Sequence, residues 1–331
     1  MKRIRLGIIG CGGMSRYHGK QITATIPEME IVALADTHQG NLDRYQAEVL
    51  SPVNQKPPRF HDHKEMLKKV EMDATLIVTP HTHHFEQVMD SYAAGCHVLV
   101  EKPMVTNTEH AKTVIAEAKK RKKVLSIAFP GPFTREFQYI RNLTKKGELG
   151  EIYLINALCT QEWLRAVKGT WRVDPKLSGG GQAYDSGSHM FNAMLYLSGL
   201  KAVEVFAWMD NKGQKVDIIT AATIKFDNGA VGTAAVSGDA PVMEQGVYMQ
   251  GPKGAIKTHI YGSWMEQYDC KGKVQYPVVP ETPSIWQNFV DCIRGRAETP
   301  SPGELGLRQA RLMDALYESA RTGKVIKVHN D

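Results

Sequence analysis

Ile4-Arg5-Leu6-Gly7-Ile8-Ile9-Gly10-Cys11-Gly12-Gly13-Met14-Ser15 is the stretch that decides the fold. Residues 4–9 read as a buried strand that runs straight into a glycine-rich turn, and a helix pattern follows at 14–25. Gly10 permits the tight turn. Gly12 lets the backbone approach a pyrophosphate, whose charge then sits on the helix N-terminus. Ser15 stands where the dinucleotide fingerprint has its third glycine or alanine, and it is small enough to keep helix and strand close.

Working outward, residues 30–35 form a second strand closed by Asp36, which lies 26 positions after Gly10. A carboxylate there accepts hydrogen bonds from both ribose hydroxyls and repels a 2′-phosphate. Thr37 and His38 follow, and neither is the cation that a 2′-phosphate needs, so NAD is expected ahead of NADP. Helix, short-strand and helix patterns fill 39–71, with a surface loop at 51–58. Strands at 74–78, 97–100 and 124–128 alternate with helices at 83–94 and 107–121. That alternation predicts right-handed βαβ units and an N-terminal Rossmann domain with a doubly wound parallel sheet.

After about residue 130 the pattern changes. A helix at 132–146 precedes strand-like runs at 151–160, 202–209, 215–226, 229–237, 245–251, 254–261 and 265–270. Turns such as Asp227-Asn228-Gly229 separate them. One helix, 181–197, interrupts the strands, and two more follow at 283–294 and 303–322. The expected architecture is α/β: a dinucleotide-binding domain over 1–123, then a substrate-binding and oligomerisation α+β domain over 124–331. The second domain should carry a large open, mostly antiparallel sheet.

The bulk numbers exclude other classes. The 331 residues suit about two domains. A composition of 42% hydrophobic and 23% charged residues is that of an ordinary globular protein, not a disordered chain or a disulfide scaffold. The net charge of +6 is mild. Its one dense run, Lys119-Lys120-Arg121-Lys122-Lys123, closes a helix and has no interleaved aromatics, so no nucleic-acid partner is expected. Five scattered cysteines read as free thiols in a reducing compartment. The N-terminal apolar run is too short for a signal peptide, and no transmembrane run occurs, so the expected location is cytoplasmic, with no membrane partner.

Two constellations can carry chemistry. Glu101-Lys102-Pro103 stands at the C-terminal end of a parallel strand, the sheet edge where ligands of open α/β sheets bind. A lysine there can sit near the nicotinamide and donate to a substrate oxygen. The second runs from Ser178 through Gly179-Gly180-Gly181 to Asp185-Ser186-Gly187-Ser188-His189. Spaced four apart, Asp185 and His189 would share a helix face and there orient a substrate hydroxyl and take its proton. Trp171-Arg172 precedes this run, and Arg172 is a candidate to bind hydroxyls or a cofactor phosphate. His81, His83, His84 and the His61-Asp62-His63 triplet have no partners at ligand spacing, so no metal is expected. Asp62 reads instead as a helix N-cap.

Gly10-Cys11-Gly12-Gly13-Met14, Thr79-Pro80-His81-Thr82-His83-His84, Glu101-Lys102-Pro103, Trp171-Arg172 and the Gly179–His189 run occur in an order and spacing that resemble the Gfo/Idh/MocA oxidoreductase family. The resemblance spans nearly the whole chain. It implies that Lys102 is the catalytic lysine of an E-K-P motif. It also implies that Asp185 and His189 are the acid and histidine of a D-x-G-x-H motif, with histidine as general base and the acid holding substrate. The Thr79-Pro80 turn is similar to one lining the cofactor site. His81 and Asn192 depart from the family, which often has Asn and Asp there.

The expected cofactor positions are therefore Gly10, Cys11, Gly12, Gly13, Met14, Asp36, Thr37, Thr79, Pro80, His84, Glu101 and Lys102. The expected substrate positions are Lys102, Trp171, Arg172, Asp185 and His189. The expected activity is a dehydrogenase acting on a secondary hydroxyl of a sugar, cyclitol or related polyol. The alternatives are an NAD-dependent glycosidase using transient oxidation and a non-catalytic dinucleotide-binding regulator. A homodimer or homotetramer formed through the open sheet is expected, because an open face tends to be covered by a partner.

Overall fold

Four consecutive buried residues, Ala74–Ile77, and the almost wholly buried Ile4–Ile9 are what the middle of a sheet covered on both faces requires. A computed structural model describes residues 2–330. Its first sheet is built from β1 (Ile4–Ile9), β2 (Met29–Ala35), β3 (Arg59–Phe60), β4 (Ala74–Ile77), β5 (His97–Val100) and β6 (Leu125–Ile127). The order is β3-β2-β1-β4-β5-β6 and every pairing is parallel. This is the doubly wound Rossmann arrangement, which reverses strand order between β1 and β4 and leaves its ligand crevice at the carboxyl ends of those strands.

The crossovers include α1 (Gly13–Thr25), α2 (Gln39–Tyr45), α3 (His63–Lys69), α4 (His84–Ala93) and α5 (Thr108–Arg121). The Asp62 side chain caps α3 by accepting from the Lys64 N–H at 2.8 Å, as its position ahead of that helix suggests. A π-helical turn at Gln46–Leu50 continues α2.

The rest of the chain contributes α6 (Arg135–Lys145), β7 (Leu154–Thr160), the short helices α7 (Trp163–Val167) and α8 (Pro175–Ser178), and α9 (Gly187–Ser198). Then come β8 (Ala202–Asp210), β9 (Ile219–Phe226), β10 (Val231–Ser237), β11 (Glu244–Gly251), β12 (Gly254–Thr258), β13 (Met265–Asp269) and β14 (Val274–Gln275). Last are α10 (Ile285–Ile293), α11 (Gly303–Thr322) and β15 (Ile326–Lys327). The nine-stranded sheet has the order β14-β13-β12-β11-β7-β10-β9-β8-β15. Only β7 and β10 pair parallel in it, so the sheet is mostly antiparallel. Alternating burial along β9 and β10 puts one face on the core and leaves the other open. Residues of α9, including Met190, Phe191, Met194 and Leu195, fill that core.

The strand-like run expected from residue 215 begins only at Ile219, because Val216 and Ile218 bury against Trp163 and Val167 in a small cluster of their own. The expected single division near residue 123 is also replaced. One unit comprises Met1–Val105, Glu109–Ala128 and Pro283–Gly303; the other comprises Thr106–Thr108, Phe129–Thr282 and Glu304–Asp331. The reason is α10, whose Trp286, Phe289 and Val290 form an apolar stripe at helical spacing and join the core of Leu6, Ile8 and Leu99. Its Ser284 cap accepts from the Gln287 N–H. None of the five cysteines is joined in a disulfide among the described residues. Among the described residues, no helix is long and apolar enough to cross a membrane.

Candidate active site

In the first unit the glycine turn has the geometry a dinucleotide needs. Gly10 sits at φ +88°, and a Cβ there would meet the Val78 carbonyl oxygen at 2.5 Å. Nothing lies within 4 Å of a Cβ built on Gly12 or Gly13, so the backbone is open on that side. No side chain caps α1, whose N-cap is Gly12, and its first N–H groups and positive dipole end remain available to a pyrophosphate. Met14 is exposed at the same helix end, whereas the Cys11 side chain is fully buried. Burial pushes the Cys11 thiol far above its ordinary range, so it is a packing group.

Asp36 is organised before any ligand arrives. Its Oδ2 accepts from the Cys11 N–H at 2.7 Å and its Oδ1 from the His38 N–H at 2.8 Å. The Asn41 amide lies 3.2 Å from both oxygens. A carboxylate offers about four acceptor sites, and the Cys11, His38 and Asn41 contacts use most of them, so a ribose hydroxyl would share an oxygen with the Asn41 amide. Thr37 beside it is exposed. These residues fit NAD: Asp36 would take the ribose and the Gly10–Met14 turn the pyrophosphate.

His84, expected among the cofactor contacts, is placed differently. It is fully buried, with Nδ1 2.8 Å from the Pro103 carbonyl and Nε2 3.0 Å from the Thr79 carbonyl. Burial lowers its pKa against the pull of those carbonyls. A neutral ring has one N–H and donates to one carbonyl at a time. With both nitrogens facing backbone, His84 ties the Thr79-Pro80 turn to the loop after β5. The Thr79 hydroxyl is held by Gln87 at 2.6 Å. Thr79 and Pro80 are half-buried.

Glu101 is likewise a supporting residue. It is 7% exposed. Its Oε1 lies 2.8 Å from His18 Nε2, and its Oε2 accepts the Lys102 N–H at 2.9 Å. Burial pushes the Glu101 carboxyl up, but the bond from His18, the Lys102 charge and the Lys102 amide bring it below its ordinary value. Lys102 itself is half-buried at the C-terminal end of β5.

In the second unit the glycine run is not helical where the sequence predicts it. The expected helix over 181–197 begins only at Gly187. Asp217 is the cause. Its Oδ1 accepts from the Gly181 N–H at 2.7 Å and its Oδ2 from the Ala183 N–H at 2.8 Å. The Tyr317 hydroxyl donates to the same carboxylate. These bonds hold 181–186 as a turn, so Asp185 precedes α9 instead of sharing a helix face with His189. A Cβ on Gly181 would lie 2.0 Å from the Asp217 carbonyl oxygen.

The Asp185 carboxylate is a hub. Its Oδ2 accepts from the Trp163 indole at 2.7 Å and from Arg172 Nε at 3.0 Å. The Arg172 guanidinium lies 4.6 Å over the Trp171 ring. The partly exposed His189 ring is flanked edge-on by Phe129 at 5.8 Å and Tyr261 at 4.7 Å. Ser186, between the two motif residues, accepts from Gln161 at 2.6 Å, and Gln161 accepts from Gln245 at 3.1 Å. The unit thus brings Arg172, Asp185 and their supporting residues together and holds the His189 ring between aromatics.

His18, Trp163, Asp217, Tyr261 and Trp286 escape sequence reasoning, because no local spacing relates them to the residues they support. Among the described residues, no group of three or more His, Cys, Asp or Glu side chains is arranged to hold a metal. His63 pairs with Asp90 at 2.9 Å, and His61 faces the Asp36 carbonyl at 3.1 Å.

The sequence matches the oxidoreductase family with NAD-binding Rossmann fold over residues 4–129, and the GFO/IDH/MocA C-terminal domain over residues 137–257. It is 26% identical to D-glucoside 3-dehydrogenase of Escherichia coli, over 98% of this chain and 97% of that protein. It is 22% identical to scyllo-inositol 2-dehydrogenase (NAD(+)) of Bacillus subtilis, over 90% and 88%. The fold matches the WlbA dehydrogenase of Bordetella pertussis, crystallised with NADH and UDP-GlcNAcA, with a TM-score of 0.86 at 24% identity and full coverage of both chains. An open glycine turn with a ribose-ready Asp36, a lysine closing β5 and a D-x-G-x-H segment are thus joined to matches that span both units: the chain belongs to the GFO/IDH/MocA oxidoreductase family, and its NAD-binding Rossmann fold is the first unit.

Proposed function

We propose that the protein oxidises a secondary hydroxyl of a sugar, cyclitol or related polyol with NAD, or runs the reverse reduction. The observation that carries this reading is the surrounding of His189 and Asp185. Hydroxyl-binding groups (Arg172, Asp185) stand in the same unit as an imidazole held between two aromatic rings. Convergent polar groups with aromatic walls suit a polyhydroxylated ring, which is polar at its edge and apolar on its C–H faces. Relatives named for a glucoside and an inositol agree with it.

When bound, NAD supplies the hydride acceptor at C4 of its nicotinamide. Gly10, Gly12, Gly13, Met14, Asp36, Thr37, Thr79 and Pro80 hold it. His189 would act as general base for the hydroxyl proton, and Lys102 as a donor that stabilises developing negative charge. Arg172, stacked on Trp171, and Asp185 hold neighbouring hydroxyls.

NADH fluorescence on a panel of sugars, inositols and glycosides tests the reading. Net NADH with at least one polyol supports it. Cleavage of an aryl glycoside without net NADH overturns it in favour of a glycosidase. Tight NADH binding with no turnover of any compound overturns it in favour of a regulator.

Asp36 sets the preference for NAD over NADP in this reading. Asp36→Ala is expected to raise the KM for NAD about 10- to 100-fold, the scale of losing charge-assisted hydrogen bonds to two hydroxyls. KM for NADP should change little or fall, so the ratio of the two kcat/KM values narrows. An unchanged ratio in steady-state kinetics would contradict the assignment.

The open face of the nine-stranded sheet, with Trp208 67% and Val231 45% exposed, is proposed to pair two or four copies of the chain. Light scattering should give the mass of a dimer or tetramer. Val231→Lys, central on that face, should shift it toward the monomer, and a wild-type monomer at micromolar concentration would refute the pairing.

A further inference from the structure

The buried group that the mechanism above leaves unused is His18. It lies on α1, the helix opened by the glycine turn, and is 2% exposed. Its Nδ1 accepts from the Trp286 indole N–H at 2.9 Å, and its Nε2 lies 2.8 Å from Glu101 Oε1. Indole nitrogen is a donor only, so Nδ1 must present its lone pair. A second lone pair facing a carboxylate would be repulsive, so Nε2 carries the ring proton and donates it to Glu101. The other Glu101 oxygen accepts the Lys102 N–H at 2.9 Å. The ring is fixed further by edge contacts with Trp286 at 5.7 Å and Tyr17 at 5.8 Å.

We infer that Trp286 and His18 form a positioning relay for Lys102: the indole donates to His18 Nδ1 and fixes the ring, His18 Nε2 orients Glu101, and Glu101 pins the Lys102 backbone to the helix that carries the dinucleotide turn. The inference deepens the dehydrogenase reading and rests on it for the role of Lys102. The relay explains why a helix from residues 285–293 returns to the first unit, where it brings a polar indole edge as well as an apolar stripe.

The ionisable groups around the ring are Glu101 from the loop after β5 and Tyr17 on its own helix. Lys102 and His84 interact in turn with Glu101. None of these supplies the donor to Nδ1; Trp286 does. Trp286→Phe keeps an aromatic ring edge-on to His18 and removes the donor to Nδ1. His18→Gln keeps an acceptor toward the indole and a donor toward Glu101, whereas His18→Leu keeps neither.

The test uses the full chain with 15N-labelled histidine. In the wild type the His18 ring should carry a proton on Nε2 toward Glu101, with Nδ1 showing the shift of an acceptor hydrogen-bonded to the Trp286 indole. In Trp286→Phe the Nδ1 resonance should lose that hydrogen-bond shift. Hydrogen exchange at the Lys102 amide should accelerate at least about 10-fold in His18→Leu and return toward wild type in His18→Gln. Polyol oxidation should follow, with kcat lowered about 10- to 100-fold in His18→Leu, the scale of a misplaced catalytic group. NADH affinity should be unchanged in both His18→Leu and Trp286→Phe. A wild-type ring that carries its proton on Nδ1, or a Lys102 amide indifferent to His18→Leu, overturns the relay. The ring and amide measurements need no substrate, so a failure of the dehydrogenase reading removes only the kcat arm.

Discussion

Lys102→Ala and His189→Ala should each lower kcat for the proposed polyol oxidation by about 10²- to 10⁴-fold, the range of a lost acid–base or charge-stabilising group, while NADH should bind as in the wild type. The two substitutions separate chemistry from cofactor binding. Asp36 and the Gly10–Met14 turn keep their geometry in both, because Asp36 is held by Cys11, His38 and Asn41 and not by either substituted residue. Their pH profiles should differ. His189→Ala removes the proton acceptor, so the rate regains a dependence on hydroxide and rises with pH. Lys102→Ala removes a donor to the developing oxyanion and lowers the whole profile. The checks are steady-state kinetics on whichever polyol the NADH panel selects and NADH fluorescence titration. Near wild-type turnover in both variants would sink the assignment, and loss of NADH binding would place these residues in the cofactor site instead.

Asp217→Ala should be the most destabilising single change in the second unit. Asp217 is 3% exposed, and its carboxylate accepts from Gly181 N, Ala183 N and the Tyr317 hydroxyl. Alanine leaves the Ala183 N–H and the Tyr317 hydroxyl without an acceptor in a buried place, and leaves the Gly181 N–H only its longer bond to the Tyr317 hydroxyl at 3.3 Å. Each buried orphan costs about 1–3 kcal/mol, and partial relaxation brings the expected loss to about 3–5 kcal/mol. Tyr317→Phe removes one donor while leaving the carboxylate two backbone partners, and should cost only about 1 kcal/mol. Gly181→Ala attacks the same clamp sterically, through the 2.0 Å approach to the Asp217 carbonyl oxygen. Urea unfolding followed by fluorescence measures all three. A loss below about 0.5 kcal/mol for Asp217→Ala would mean that the turn holds itself. Any folded Asp217→Ala protein should also lose kcat, because the turn it holds carries Asp185 into α9.

The Rossmann half was legible because its signals are local. A strand that stops at glycine, a helix that starts three residues later and an acid that ends the next strand are all read along a single βαβ unit. Lys102 and Asp36 were placed by the same logic, since each closes a parallel strand. The D-x-G-x-H segment was found as a spacing, but its helical reading failed at Asp185. Periodicity cannot register an acceptor 36 residues away in sequence that holds Gly181 out of the helix. His84 was grouped with the cofactor contacts by its neighbours in the chain, whereas the fold turns both its nitrogens onto backbone carbonyls.

The chain alone thus determined which chemical groups are present: the open glycine turn, the carboxylate closing β2, the lysine and the acid–histidine pair, all carried by residue type and short spacing. Tertiary structure alone decided how those groups are held. The domain boundary moved because an apolar stripe on α10 packs into the first unit's core, and the supports Trp286 to His18, Asp217 to Gly181 and Trp163 to Asp185 span 268, 36 and 22 residues. Contacts of that reach depend on how distant segments meet once apolar surface is buried, and no pattern within a few turns of chain encodes them.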